Sequence, residues 1–275
     1  MNKQLFDSAY FSQKMMALQE QAPLVHCLTN DVVTNFTANV LLSVGACPAM
    51  VVAEQESTEF VVLASALLVN VGTLTLPQAH AMGSAVRAAA MYQKPWVLDP
   101  VAYGVLKFRT DVCDELLAFP PMVIRGNAAE ICAMAGAASQ SKGPESLVSS
   151  NDALEHAKAV AKKYKTVVAM TGQTDFVTDG ELVYALHNGH EFLTRVTGAG
   201  CALSALVAAY CVVCETPMLA ALTALSHMAV AGELAAKRAQ GVGSFAVALL
   251  DYLQWLAREF ETQQSVQLRC ELLPL

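Results

Sequence analysis

The chain is 275 residues long, with 55% hydrophobic residues, 15% charged residues and a formal net charge of -7. A disordered chain needs low hydrophobicity and high charge, which the composition rules out, and the acidic balance argues against a nucleic-acid partner, which needs a basic field to draw its phosphates. The charged share falls short of the usual ~25%, which predicts much hidden surface, in a large core or between subunits, and the length suits one domain over residues 1–275.

From the N-terminus, Met1-Asn2-Lys3-Gln4-Leu5-Phe6-Asp7 lacks the apolar stretch of a signal peptide. Eight cysteines without regular spacing do not make a secreted disulfide framework. A reduced, cytoplasmic protein is expected. Leu24-Val25-His26-Cys27-Leu28 reads as a strand and residues 34–44 as a helix; Ala49-Met50-Val51-Val52 is strand-like, and residues 56–64 helical. Residues 66–71 form a buried strand, residues 77–93 a helix opened by proline, and Trp96-Val97-Leu98 a strand. Met122-Val123-Ile124 followed by a helix over 128–135 repeats the unit, as does a helix over 152–164 followed by a strand over 166–170. Continuous Val/Ile/Leu/Ala runs are the mark of parallel strands covered by helices on both faces.

Phe176-Val177-Thr178 and Leu182-Val183-Tyr184-Ala185-Leu186 flank Asp179-Gly180, a hairpin signal near the sheet edge. Beyond Gly200 the chain reads as helices over 202–213, 217–238 and 244–260, with Leu268-Arg269-Cys270-Glu271-Leu272 as a strand or an ordered tail. Residues 139–151 form a polar loop, read as a surface excursion ahead of a flap near a site. Residues 60–86 and 196–214 lack charged side chains and tempt a membrane assignment. Turn and cap residues interrupt both, so buried strands and helices fit better, and no membrane is expected.

The strongest chemical signal is Arg195-Val196-Thr197-Gly198-Ala199-Gly200-Cys201, running straight into an apolar helix. Glycines there allow close backbone approach, and free amides at a helix start converge on an anion. A phosphate or a developing oxyanion is the natural guest; a tight turn without a ligand is the plainer reading. Leu203 stands where a dinucleotide fingerprint needs its third glycine, and no P-loop motif occurs. Cys201 falls on the first helical turn, where unpaired amides lower a thiol pKa. It could accept a proton, act as a nucleophile, or be a small structural hydrophobe. Cys211 and Cys214 lie inside an apolar helix without a second pair, so a zinc site is not expected there.

Polar residues follow several strands, where ligands bind in open α/β sheets: Thr29-Asn30-Asp31, Asn70-Val71-Gly72-Thr73, Asp99-Pro100-Val101, Arg125-Gly126-Asn127 with Glu130, and Thr171-Gly172. Asp99 and Glu130 offer oxygen ligands suited to hydrated Mg2+, and Arg125 and Thr171 suit phosphate oxygens. Each also has a turn or cap reading, Asn127 as a helix N-cap among them. His26 reads as a satisfied core histidine.

These segments, with Gly45-Ala46-Cys47-Pro48-Ala49-Met50, Asn70-Val71-Gly72-Thr73-Leu74 and Leu98-Asp99-Pro100-Val101, resemble the hydroxyethylthiazole kinases of the ribokinase superfamily over essentially the whole chain. The resemblance implies a ribokinase-like three-layer α/β/α fold with a mostly parallel central sheet. It implies ATP- and Mg2+-dependent phosphorylation of the primary alcohol of 4-methyl-5-(2-hydroxyethyl)thiazole, a salvage step towards thiamine. Asn30, Val32, Met50 and Gly72 would line the thiazole pocket, with Gly198 near the hydroxyethyl group. Arg125 and Thr171 would hold the ATP phosphates, and Asp99 and Glu130 would bind Mg2+, through water. The amides of Gly198, Ala199, Gly200 and Cys201 would neutralise the moving phosphoryl group, with Cys201 where sugar kinases carry an aspartate base. A homotrimer with sites between subunits is implied as well. A kinase of a related pyrimidine or pyridoxal alcohol, a non-catalytic binder on the same scaffold, and a cysteine-nucleophile hydrolase are the competing readings.

Overall fold

Short apolar runs bounded by turn residues form strands, and longer ones form helices, because only a strand can bury both of its faces within five residues. The computed structural model describes residues 6–137, 150–260 and 267–274. Of the polar loop expected at 139–151, residues 139–149 lie outside the described residues, as do 261–266, while residues 150 and 151 open a helix. The described elements run α1 (Ser8–Gln21), β1 (Leu24–Leu28), α2 (Thr34–Ser43), β2 (Cys47–Ala49), α3 (Glu54–Leu63), β3 (Ala66–Asn70), α4 (Leu76–Met91) and β4 (Trp96–Asp99). There follow α5 (Lys107–Leu116), β5 (Val123–Asn127), α6 (Ala128–Met134), α7 (Ser150–Tyr164), β6 (Val167–Thr171), β7 (Asp175–Thr178) and β8 (Val183–Leu186). A 3-10 turn at Glu191–Arg195 leads to α8 (Ala199–Val213), α9 (Pro217–Arg238), α10 (Val242–Glu259) and β9 (Cys270–Leu272).

The strands form one sheet in the order β2-β1-β3-β4-β5-β6-β7-β8-β9. The first six in that order are parallel, and β7, β8 and β9 are added antiparallel. Alternate strand residues feed two cores. Val25, Cys27, Leu68, Val97 and Ala169 face the layer of α1, α2, α8, α9 and α10. Leu28, Leu67, Val69, Leu98, Ile124 and Val168 face the layer of α3 to α7.

Several sequence expectations shift. The strand expected at 49–52 lies at Cys47–Ala49, paired with Leu24, Val25 and His26, and the chain leaves the sheet at Met50. As an edge strand, β2 has one neighbour and stays short. Two helices, α1 and α5, go beyond the elements expected from the sequence. In α1, Asp7 caps the helix by accepting from the Tyr10 N–H (2.8 Å), and Tyr10, Phe11, Lys14, Met15 and Leu18 are buried at helical spacing. In α5 only Val112, Cys113 and Leu116 are buried, so the apolar period is faint. The Asp179-Gly180 hairpin joins β7 to β8 as expected, with Gly180 at φ +95.

The uncharged stretch 196–214 becomes α8 and its approach, and 60–86 becomes the end of α3, β3 and α4. Among the described residues, α9 is long and apolar enough to cross a membrane, and it is buried within the protein. Its polar His227 is fully paired: the Tyr210 hydroxyl donates to Nδ1 (2.8 Å), and Nε2–H donates to the Leu253 carbonyl (2.9 Å).

Burial pushes His227 down to about 4, against ~6.5 in an unfolded chain. Above ~6.5 both states are neutral and the fold keeps its full stability. As pH falls from there to about 4, the unfolded chain takes the proton first, and roughly 3 kcal/mol of stability is lost. Urea unfolding at pH 7.5 and 4.5 is expected to show this loss. In a His227→Gln variant, which cannot titrate, the pH-dependent loss shrinks by that share; an unchanged loss would refute the assignment.

Candidate active site

A parallel sheet brings its strand ends to one edge, and the register fixes which residues meet there. Asn70 of β3 lies beside Asp99 of β4, and Asn127 of β5 beside Thr171 of β6. Helix α8 packs on β1, β3 and β4. Its first turn thereby sits over the same edge.

A chain of hydrogen bonds links the loop after β1 to the carboxylate of Asp99. Asn30, buried in the loop after β1, donates its Nδ2–H to Asn70 Oδ1 (2.9 Å) and towards Cys201 Sγ (3.6 Å). Asn70 Oδ1 also accepts from the Gly72 N–H (3.0 Å), and its Nδ2–H donates to Asp99 Oδ2 (2.7 Å). The Ser204 hydroxyl donates to the same oxygen (2.8 Å). With two donors aimed at Asn70 Oδ1 and a carboxylate facing Nδ2, neither amide can flip. Asn30, Gly72, Asp99 and Cys201, four of the residues singled out in the sequence, are thus brought together. The sequence pattern alone assigns no role to Asn70 or Ser204. Both carried a signal: Asn70 ends a buried apolar run, and Ser204 lies one helical turn beyond Cys201, on the same face.

The second cluster surrounds Arg125. Its Nη2–H donates to Thr171 Oγ1 (2.6 Å), joining β5 to β6. A Cβ on Gly200 would lie 2.8 Å from Arg125 Nη1, so the glycine is what lets the helix start approach the guanidinium. Gly198 caps α8 at φ +89, a left-handed conformation that favours glycine, and packs against Val33. The Ala199 N–H is already bonded to the Val196 carbonyl (3.2 Å). This takes the Ala199 amide out of the expected anion cradle of Gly198, Ala199, Gly200 and Cys201.

The two candidate metal carboxylates differ. Asp99 is 1% exposed. Burial pushes it up to about 6, Glu130 adds to the rise, and Arg125, Ser204 and Asn70 oppose it. Glu130 completes a capping box with Asn127, accepting the Asn127 N–H on Oε2 (2.9 Å) and the Ala102 N–H on Oε1 (3.0 Å). Among the described residues, no cluster of three or more His, Cys, Asp and Glu side chains forms. Two carboxylates with only oxygen donors, one of them engaged by amides, fit a hydrated Mg2+ that takes its remaining ligands from water and phosphate, and do not make an all-protein cage.

The expectation of a lowered Cys201 thiol is overturned. Burial and the Asp99 carboxylate push it up to about 11, against the opposing pull of Asn70, Arg125 and Asn30. The cysteine does lie on the first turn of α8, but it is enclosed beside a negative charge, and desolvation outweighs the helix start.

Met50 and Val32 are less closely tied to the cluster. The Val32 N–H donates to Asn30 Oδ1 (3.2 Å), while its side chain is 64% exposed. Met50, just past β2, is half-buried against the α1, α2, α8, α9, α10 core. A cavity of about 460 Å³ lined by Pro120, Pro121, Lys165 and Pro217 opens at the opposite end of the sheet. The chemistry-bearing side chains converge away from it, at the other sheet edge.

Residues 15–259 match the family model described as hydroxyethylthiazole kinase family. The hydroxyethylthiazole kinases of Escherichia coli (strain K12) and Shigella sonnei (strain Ss046) are each 45% identical over 261 residues, covering 95% of this chain and 100% of theirs. The solved hydroxyethylthiazole kinase protein of Pyrococcus horikoshii OT3 superposes with a TM-score of 0.88 at 37% identity, over 97% of this chain and 100% of that one. Staphylococcus aureus pyridoxal kinase shares the ribokinase-like fold, with a TM-score of 0.64 at 15% identity over 92% of this chain and 98% of that one.

Proposed function

The chain belongs to the hydroxyethylthiazole kinase family, and from that premise we infer that it transfers a phosphoryl group from ATP to the primary alcohol of 4-methyl-5-(2-hydroxyethyl)thiazole, giving the thiazole phosphate used for thiamine diphosphate. The observation that most supports the residue assignments is the convergence on one first helical turn: Cys201 beside Asn30 and Asn70, and Gly200 against Arg125. An alcohol and a phosphate chain bound to these two groups would meet over the Gly200 and Cys201 amides.

Asn30, Val32, Met50 and Gly72 receive the thiazole, and Gly198 borders its hydroxyethyl arm. Arg125, with Thr171 holding its guanidinium, takes the ATP phosphates through charge-assisted hydrogen bonds. Asp99 and Glu130 would hold Mg2+, and the ion, when bound, would offset phosphate charge. The alcohol oxygen bonds to the γ-phosphorus as the bond to ADP breaks, and the hydroxyl proton passes late to an oxygen of the transferred phosphoryl group and from there to solvent. A loose transition state asks for position and charge stabilisation before it asks for a base. First-turn amides supply the stabilisation. A thiol pushed up to about 11 keeps its proton at neutral pH, so Cys201 serves to orient the hydroxyl. A cytoplasmic homotrimer with sites between subunits belongs to the same proposal; the exposed Val32 beside Asn30 leaves apolar surface for a neighbour to cover.

The deciding experiment is ATP- and Mg2+-dependent phosphorylation of hydroxyethylthiazole, with hydroxymethylpyrimidine and pyridoxal run in parallel. Preference for the thiazole alcohol is expected; thiazole binding without turnover would mean a binding protein. Cys201→Ala is expected to lower kcat by about tenfold or more, and Cys201→Asp to keep or raise it, because a carboxylate accepts the hydroxyl proton without first losing one. Unchanged turnover in the alanine variant would remove the role. Gly200→Ala pushes on the guanidinium (2.8 Å); it is expected to raise the ATP KM about tenfold and the thiazole KM by less than about twofold.

A further inference from the structure

His26 stands fully buried on β1, its ring edge-on to Phe60 at 5.1 Å between centroids. The sequence reading makes it a satisfied core histidine, and only half of that holds. Nε2 lies 2.7 Å from the Val51 carbonyl oxygen, while Nδ1 is buried with no hydrogen-bond partner. A carbonyl can only accept, so Nε2 carries the proton and Nδ1 is left as an unpaired acceptor in the interior. Burial pushes the ring towards its neutral form. An apolar side chain would fill this place without stranding a polar atom. Packing therefore does not account for an imidazole here; what it alone supplies is the bond to Val51.

That bond falls at a weak point of the fold. The edge strand β2 pairs with β1 only from Cys47 to Ala49, and residues 50–53 then run without regular structure to α3. Among the described residues, His26 is the one side chain that hydrogen-bonds the backbone of residues 50–53. Met50, next to the tethered carbonyl, points its half-buried side chain against the core on the α8 side of the sheet. A thioether with three rotatable bonds adapts to many positions, so its place depends on the backbone beneath it.

We propose that His26 is a positioning residue for the alcohol pocket: by donating Nε2–H to the Val51 carbonyl it fixes the backbone that presents Met50 to the thiazole ring. It touches neither substrate and takes no part in holding ATP. The proposal rests on the reading of Met50 as a thiazole contact.

The test compares His26→Gln and His26→Met, similar in size, of which only glutamine carries an N–H to donate. Steady-state kinetics give the thiazole KM, the ATP KM and kcat for each, with Met50→Ala alongside. In His26→Met the thiazole KM is expected to rise about tenfold, with ATP KM and kcat within about twofold of the parent. In His26→Gln the thiazole KM is expected to return to within about threefold. Equal KM values in the two variants, or thiazole and ATP KM rising together, overturn the proposal. An unchanged thiazole KM in Met50→Ala removes the pocket reading itself; a rise in Met50→Ala with none in His26→Met removes the role of His26 alone. If His26→Met does not fold, His26→Phe, which keeps the ring against Phe60 and lacks the donor, takes its place in the comparison.

Discussion

A carboxylate buried at the end of a central strand is the constraint from which the rest of the site follows. Asp99 closes β4, with neighbours on both sides of the sheet and α8 above it. An ionised carboxylate there is costly unless donors and cations surround it. Asn70 on the adjacent strand and Ser204 on α8 supply hydrogen bonds, and Arg125 supplies opposing charge. Each of these is then fixed by its obligation to Asp99. Asn70 can offer only its oxygen to Asn30 and Gly72, so these two inherit their geometry from the carboxylate.

Helix α8 serves two ends of the same problem. Its body is almost wholly buried between the sheet and α9, and supplies Leu203, Leu206, Val207 and Tyr210 to the core. Its first turn is stripped of side-chain bulk by Gly198 and Gly200, so its amides and Cys201 can approach the strand edge. The same packing that holds the helix rigid raises the Cys201 thiol, because enclosure beside Asp99 withdraws water from the sulfur. A group so placed orients a hydroxyl more readily than it deprotonates one.

Much of the layer architecture was legible because burial on both faces writes itself into sequence as unbroken apolar runs. Strands β1, β3, β4, β5 and β6 were located within a few residues, and α9 to the residue. Where one face meets solvent or the sheet ends, the pattern thins. The edge strand β2 was displaced because a run of apolar residues does not say which of them finds a partner, and α5 escaped because only three of its side chains are buried. Family matches covering nearly the whole chain agree with that architecture.

Sequence alone determined which residue types end the strands, that glycines open α8, and that carboxylates, an arginine and a cysteine were available at that edge. Residue identity and local period carry that information without any knowledge of neighbours. Tertiary structure decided the rest: that Asn70 joins Asn30 to Asp99, that Cys201 is raised and not lowered, and that His26 has one ring nitrogen bound and one stranded. These depend on hydrogen bonds between residues tens of positions apart and on how much water each group loses. Neither is written in any local stretch of the chain, because desolvation and partner geometry exist only once the strands are side by side.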